Sequence, residues 1–196
     1  MKKKLMTVLA LVLVIALSVA GTYAYLTSQA TVNNTFTVGN VAITMDEADV
    51  NEYGEKLNKA GNVAAGNDEL APRVDHNEYK LVPSHTYVKD PTIHVGANSE
   101  DCYLFVEITN GLGTNATING LTGWTRVAEG SNVYYYNTKV SAGADVEVFN
   151  SFTFAENGNP ADFGSASIVI KACAIQADGF ETPAAAYASG AVTFAA

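Results

Sequence analysis

The chain begins with an apolar run and continues in stretches where apolar and polar residues alternate. The run from Leu5 to Ala20 follows Met1 and three lysines, and its only polar residues are Thr7 and Ser18. The later stretches alternate with a period of two and are rich in β-branched and aromatic residues, which is typical of half-buried strands. These stretches are residues 34–47, 101–109, 145–155 and 166–177. The chain beyond the first run is therefore predicted to be β almost throughout.

The alternation also predicts which side chains share a face of each strand. In residues 101–109 one face carries Cys102, Leu104, Val106 and Ile108. In residues 145–155, taken as one strand, one face carries Val146, Val148, Asn150, Phe152 and Phe154. In residues 166–177 the side chains of Ile168, Ile170, Ala172 and Ala174 oppose those of Val169, Lys171, Cys173 and Ile175. Within the tyrosine run 134–136, the first and third rings share a face.

Turn signals separate these stretches, and segments with a helical period are almost absent. Examples are Asp90-Pro91 and Asn110-Gly111. Strands at this spacing predict one antiparallel sandwich or barrel-like Greek key. A short helix is predicted at Thr182–Ala188, because its first residue can cap a helix and the proline that follows suits the first helical position. The polar stretch Asp46–Leu70 is predicted to be a long surface excursion, with room for a helical turn.

Residues 1–24 have the organisation of a secretory signal peptide. Lysines precede an apolar run of 16 residues, which is shorter than the ~20 needed to span a bilayer. Thr22 and Ala24 place small residues at positions −3 and −1 of a cleavage site. The chain is therefore predicted to comprise a signal peptide (1–24), an extended N-terminal segment (25–40) and a single β domain (41–196). An uncleaved membrane anchor is the alternative.

The charge balance argues against nucleic acid as a partner. The full chain carries a net charge of −9, and loss of residues 1–24 leaves 8 basic against 20 acidic residues, a net charge of −12. Such a surface is soluble and repels polyanions. No basic cluster follows Lys4, so membrane contact is expected only through an uncleaved signal peptide.

The search for reactive groups predicts no catalytic, cofactor or metal site. His76, His85 and His94 are spaced nine residues apart, which does not place all three on one strand face. Zinc-protease, nucleophile-elbow and phosphate-loop motifs are absent from the sequence. The acidic group at the start of the excursion lacks the order of ligands of an EF-hand and is interpreted as a solvated loop. Its members are Asp46, Glu47, Asp49 and Glu52.

Two cysteines, Cys102 and Cys173, leave two interpretations open. In an exported protein they could form one disulfide. Because both lie in strand-like stretches, unpaired buried thiols fit equally well. Acidic neighbours of Cys102 are expected to raise the pKa of its thiol, which argues against an activated nucleophile.

The N-terminal pattern resembles the start of the TasA/camelysin family of Gram-positive exported proteins. Its first part is GTYAYLTS at residues 21–28, and its second part is carried by Asn34, Phe36, Gly39, Val41 and Ile43. Weaker matches lie at residues 81–95 and 167–180, where Ser84 occupies a position that is usually glycine in the family. The resemblance implies processing by the signal peptidase SipW, with cleavage after Ala24 or, by position in the motif, after Tyr25.

The resemblance further implies a jelly-roll or immunoglobulin-like antiparallel β-sandwich that forms fibres of a biofilm matrix. The freed segment Leu26–Val38 would then add as a strand to the next subunit, with Leu26, Val32, Phe36 and Val38 as its strand-donor residues. The segment carries no charge, so pairing would bury none. A head-to-tail contact of this type does not close, and it yields a filament.

The partners and the location implied are those of a matrix fibre outside a Gram-positive cell. The expected partners are other copies of the chain, the dedicated signal peptidase, and accessory matrix or cell-wall proteins. Two other functions stay open at this point. One is a camelysin-like surface metallopeptidase, and the other is a monomeric surface adhesin or binding module.

Overall fold

The computed structural model describes residues 40–194 and shows an all-β antiparallel fold, as predicted. In this part of the chain, one helix, α1 (Pro183–Ala188), and two 3-10 turns, Gly113–Asn115 and Pro160–Phe163, accompany the strands. The strands are β1 (Ile43–Asp46), β2 (Thr86–Val88), β3 (Thr92–Val95), β4 (Cys102–Asn110), β5 (Ala116–Asn119), β6 (Trp124–Arg126), β7 (Val133–Tyr136), β8 (Asp145–Glu147), β9 (Ser151–Phe154) and β10 (Ile168–Gln176). None of the helical elements in residues 40–194 is long and apolar enough to cross a membrane.

Two sheets pack face to face around the main core. The small sheet has the strand order β1-β3-β8, and the large sheet has the order β10-β4-β7-β6. The predicted faces of β4 and β10 are confirmed, because the even-numbered apolar residues of both strands contribute to this core. Tyr134 and Tyr136 of β7 also point into it, as the alternation predicts. A sandwich therefore forms because one apolar face of each sheet is removed from water.

The other face of the large sheet is buried as well, although the alternation predicts strands that are only half-buried. Tyr103 and Phe105 of β4 lie under α1 and the C-terminal segment, in a cluster that includes Ala186 and Phe180. The helix begins as predicted, since Thr182 accepts a hydrogen bond from the Ala185 amide at 3.1 Å and proline occupies the first turn. The large sheet thus lies between the small sheet and the helix.

A third sheet, with the order β2-β9-β5, packs its own aromatic cluster. The prediction of a single strand over residues 145–155 is wrong. β8 belongs to the small sheet and β9 to the third sheet, and the chain turns between them. Val148 and Phe149 are neighbours and both are fully buried. A strand cannot send two successive side chains into one core, so the alternation must break there.

The excursion after β1 differs from the prediction in two respects. Residues 46–70 contain no helical turn; instead, isolated bridges such as Val50–Lys56 and Leu57–Val63 hold them. The side-chain oxygens of Asn51 and Asn58 each accept two backbone N–H groups and fix the turns. The first residues of the excursion are also buried rather than solvated, since only 3% of the Glu47 surface is exposed.

The two cysteines are free and lie on opposite faces of the large sheet. Cys102 is buried in the core between the sheets, whereas Cys173 packs on the helix side. Their strand partners are Gln176 and Phe105, so they are not opposite one another. A Cys102–Cys173 disulfide is therefore not part of this structure. Burial first, and Asp101 second, raise the pKa of the Cys102 thiol to about 11, so it is not a nucleophile at neutral pH.

Candidate functional site

The outer edge of β10 is a long row of backbone groups without a strand partner in residues 40–194. Among the strands of residues 40–194, β10 pairs only with β4, over nine residues. Flanking bonds from the Gly111 amide to Ser167 and from the Ala177 amide to Asp101 show that odd-numbered residues of β10 bond to β4. In an antiparallel pair the remaining residues direct their N–H and C=O groups outward. The outward groups are those of Ile168, Ile170, Ala172, Ala174 and Gln176.

Within the described residues, the outer edge of β1 also has no partner strand, over a shorter length. The bond from the Gly96 amide to Ala42 sets the pairing with β3 and turns the backbone groups of Ile43, Met45 and Glu47 outward. The last of these exchanges two hydrogen bonds with Val74, at 2.7 and 2.8 Å. The other two lack a backbone partner among residues 40–194.

A groove of about 960 Å³ lies where these two edges approach each other on one side of the sandwich. β1 contributes Met45, Asp46 and the adjoining Glu47, and the start of β10 contributes residues 168–170. Residues 75–81 and the turn at Pro160–Phe163 form much of the remaining wall. The groove therefore combines apolar side chains with strand edges that are unpaired in the described part of the chain, a combination that can accept an added strand.

A buried ion pair lies in the wall of this groove. Lys89 Nζ is 2.6 Å from Glu47 Oε2, with side-chain exposures of 11% and 4%. Asn77 Nδ2 donates to the other carboxylate oxygen at 3.0 Å, so both carboxylate oxygens are engaged. Burial first, then the nearby carboxylates of Glu47 and Asp90, raise the pKa of the Tyr79 hydroxyl, so it stays neutral. The lysine is thus the charged donor that this pair presents to the groove.

A second set of charges ties β1 to its neighbours at the rim of the groove. Arg73 bonds to the Asp46 carboxylate, to the Asp90 carbonyl at 2.8 Å and to the Thr92 hydroxyl at 2.9 Å. His94 lies between Asp46 and Asp145, with contacts of 2.9 and 2.6 Å. These contacts span all three strands of the small sheet.

The pKa values of this rim follow from the same contacts. Hydrogen bonds to Asp46 and Asp145 raise the pKa of His94 above its usual value. Burial alone would raise the pKa of Asp46, but the hydrogen bonds from His94 and Arg73 outweigh it and lower that pKa. The rim therefore favours a protonated imidazole between two carboxylates.

The opposite side of the sandwich is closed. There the Trp124 indole of β6 donates to the carbonyl of Glu147 in β8 at 3.0 Å. The ring is 7% exposed and packs against Tyr136. The two sheets are thus joined on this side by a side chain, in contrast to the groove side.

The three equally spaced histidines lie apart from one another in the structure. His76 is exposed beside Asp75, His85 contacts the Tyr53 carbonyl at 2.8 Å, and His94 belongs to the rim. Within residues 40–194, no group of three or more His, Cys, Asp or Glu side chains could hold a metal ion.

The acidic group does not act as one solvated loop. Two of its members, Asp46 and Glu47, are engaged in the rim and in the buried pair. The sequence patterns do not predict Lys89, Arg73 or Asp90 as site residues. Two sequence features could have identified them: basic residues are scarce in this chain, and Lys89 and Asp90 adjoin a strand-like stretch.

The cleavage residues Thr22, Ala24 and Tyr25 and the strand-donor residues Leu26, Val32, Phe36 and Val38 lie outside the described residues. Their roles stay predictions. The groove side of the sandwich, however, is where the described part of the chain leaves strand edges open.

Fold and groove together define an all-β domain whose distinctive surface is an open sandwich edge. The family model described as "Camelysin metallo-endopeptidase" matches residues 1–60, from the apolar N-terminal run through β1 and into the excursion. The match confirms the resemblance to the TasA/camelysin family over these residues. No curated protein and no solved structure matches the chain.

Proposed function

We propose that this protein is a secreted structural subunit that polymerises head to tail by strand addition. In this proposal the segment Leu26–Val38 of one copy enters the groove of the next copy and pairs with the outer edge of β10. The observation that carries the proposal is the outer edge of β10, which is nine residues long, has no strand partner among residues 40–194 and is lined at one end by a groove. Exposed edges of this length normally invite pairing and are blocked in monomeric proteins.

The segment suits the groove in length and in charge. Its 13 residues could extend about 43 Å as a strand, which exceeds the length of β10. It contains no charged residue, so its burial would leave no ion without a partner. It ends next to Gly39 and Asn40, shortly before β1.

Signal-peptide cleavage would couple export to assembly in this proposal. Cleavage at Thr22-Tyr23-Ala24, by a dedicated peptidase, would free the segment only outside the cell. The filament would then form in the extracellular matrix or at the cell surface, where accessory matrix or wall proteins could join it.

Deletion of the segment tests the proposal. The mature chain should form filaments visible by negative-stain electron microscopy, and a chain lacking residues 26–38 should stay a folded monomer. Circular dichroism and size-exclusion chromatography would establish that the deletion variant is folded. Filaments of unchanged appearance from the deletion variant would refute strand donation.

The matched family is described as a metallo-endopeptidase, which favours a second candidate function, that of a surface metallo-endopeptidase. This candidate predicts proteolysis that a chelator abolishes and that depends on one or more of His76, His85 and His94. Alanine variants of all three, assayed on an unfolded protein substrate, would test it. Proteolysis that survives all three substitutions would exclude these histidines as metal ligands.

A further inference from the structure

The apolar face of the segment Leu26–Val38 is interrupted by a polar position near the domain. If the segment is extended, the even-numbered residues share one face, and the odd-numbered residues Thr27 to Thr37 are all polar. Near the domain, the even face reads Val32, Asn34, Phe36 and Val38. One asparagine thus lies between apolar neighbours, each two residues away, or about 7 Å.

The groove shows the complementary arrangement. The ammonium of Lys89 has three N–H donors, and its only hydrogen bond among residues 40–194 goes to Glu47. Apolar side chains of Met45 and Phe152 line the same groove as this pair. The groove therefore offers one charged donor with spare capacity among apolar contacts.

We infer that Asn34 of one copy accepts a hydrogen bond from Lys89 of the next copy and thereby fixes the register of the added strand. The inference rests on the proposed strand addition and names the contact that makes it specific. An amide oxygen suits this position because it satisfies a spare N–H without bringing a second carboxylate toward Glu47. A single buried asparagine fixes register in other apolar interfaces by the same logic.

A register shift of two residues would lose this contact. It would place Val32 or Phe36 against the ion pair, and the spare N–H groups would be removed from water without an acceptor. A shift of one residue would turn the polar face of the segment toward the core. The register of the added strand is thus determined by the hydrogen bond itself and by the free-energy cost of the shifted registers.

The chain offers a matched pair of variants to test the contact, because Asn33 and Asn34 are adjacent and lie on opposite faces of an extended segment. Asn33→Asp and Asn34→Asp are each assembled from a mixture of ¹⁵N-labelled and unlabelled chains. The filaments are treated with a zero-length carbodiimide, which joins a carboxylate only to an amine in contact with it. The internal Glu47–Lys89 pair, 2.6 Å apart, reports that the reagent reaches the groove.

We expect the Asn34→Asp variant to give a cross-link between position 34 and Lys89 of a differently labelled chain. The corresponding cross-link from position 33 in the Asn33→Asp variant should have a yield at least tenfold lower. Filaments of the Asn34→Asp variant that give the Glu47–Lys89 product but no product between position 34 and Lys89 would overturn the inference. So would equal yields from both positions, or a cross-link found only within single chains. Wild-type chains that form no filament would instead overturn the proposed function.

If the carboxylate introduced in the aspartate variants prevents assembly, alanine substitutions at Asn33 and Asn34 still test the contact. Asn34→Ala should raise the critical concentration for assembly about tenfold, the effect of one lost charged hydrogen bond. Asn33→Ala should change it less than about twofold. Equal changes at the two positions would show that Asn34 has no special contact.

Discussion

The two sides of the sandwich differ in how the small sheet and the large sheet meet. On the closed side, the short edge strands β6 and β8 are joined by the Trp124 indole. On the groove side, β1 and β10 approach each other with a cavity between them, and their outer edges have no strand partner among residues 40–194. The two sheets are thus joined by a side-chain hydrogen bond at one boundary and separated by a groove at the other.

The two edge strands of the large sheet, β6 and β10, differ in the features that prevent pairing with another chain. β6 has three residues and ends in Arg126, whose guanidinium bonds to the Tyr134 hydroxyl. Short length and charged side chains are common features that prevent an edge strand from pairing with another chain. β10 has nine residues with Lys171 as its only charged residue. We therefore expect strand addition on the groove side only.

The largest expected effect comes from a proline on the open edge. Ala172→Pro removes an outward N–H and keeps the bonds to β4, so the monomer should fold while filament growth stops. Growth is measured by light scattering and electron microscopy. Arg126→Pro is the matched control, because the Arg126 amide points away from β7 and the change therefore also removes an outward N–H, at the other edge of the same sheet. Equal loss of growth in two folded variants would contradict a distinction between the edges.

The next effect in size tests the closed side. Trp124→Ala should lower the free energy of unfolding by about 3–5 kcal/mol, because it removes a buried ring and its hydrogen bond. Trp124→Phe keeps most of the ring and should cost only about 1–2 kcal/mol. Urea unfolding followed by circular dichroism measures both values. A loss below about 1 kcal/mol for Trp124→Ala would show that this contact does not close the sandwich.

The smallest effect concerns pH and the rim of the groove. The folded pKa of His94 is raised, so its stabilising contribution is complete below the unfolded value, about 6.5, and is lost as pH rises through the folded pKa. Compared with His94→Gln, wild type should be more stable by about 1 kcal/mol near pH 5.5, and the difference should shrink at alkaline pH.

Urea unfolding at several pH values measures this difference. His76→Gln is the control, since that side chain is 79% exposed and surface pairs contribute little. A wild-type advantage over His94→Gln that grows with pH would contradict the assignment of His94 to the rim.

The alternation of residues predicted long strands well and chain turns poorly. β4 and β10 follow their patterns because each keeps a consistent apolar face toward the core for nine residues. The break at Val148–Phe149 could not be read from the sequence, since apolar residues occupy both parities there. Whether a second face is covered also depends on a distant element, in this case α1.

The groove could be predicted only in part. A free edge was expected from the resemblance, but its location depends on sheet order, which local patterns do not determine. The pairing of Glu47 with Lys89 joins residues 42 positions apart. Ser84 is a smaller case: its φ of 63° lies in the left-handed region, which glycine adopts more easily than serine, and the local pattern did not predict this conformation.

The position of β1 has a mechanical consequence. β1 is the first strand of the described chain, so tension transmitted through residue 40 enters the domain there. A pull along the strand loads its four residue pairs with β3 in shear, and the pairs then share the load. Arg73 and His94 brace the far end of the strand against Asp46. A fibre made of such subunits would bear load through a braced edge strand, and its tensile strength would depend on that brace.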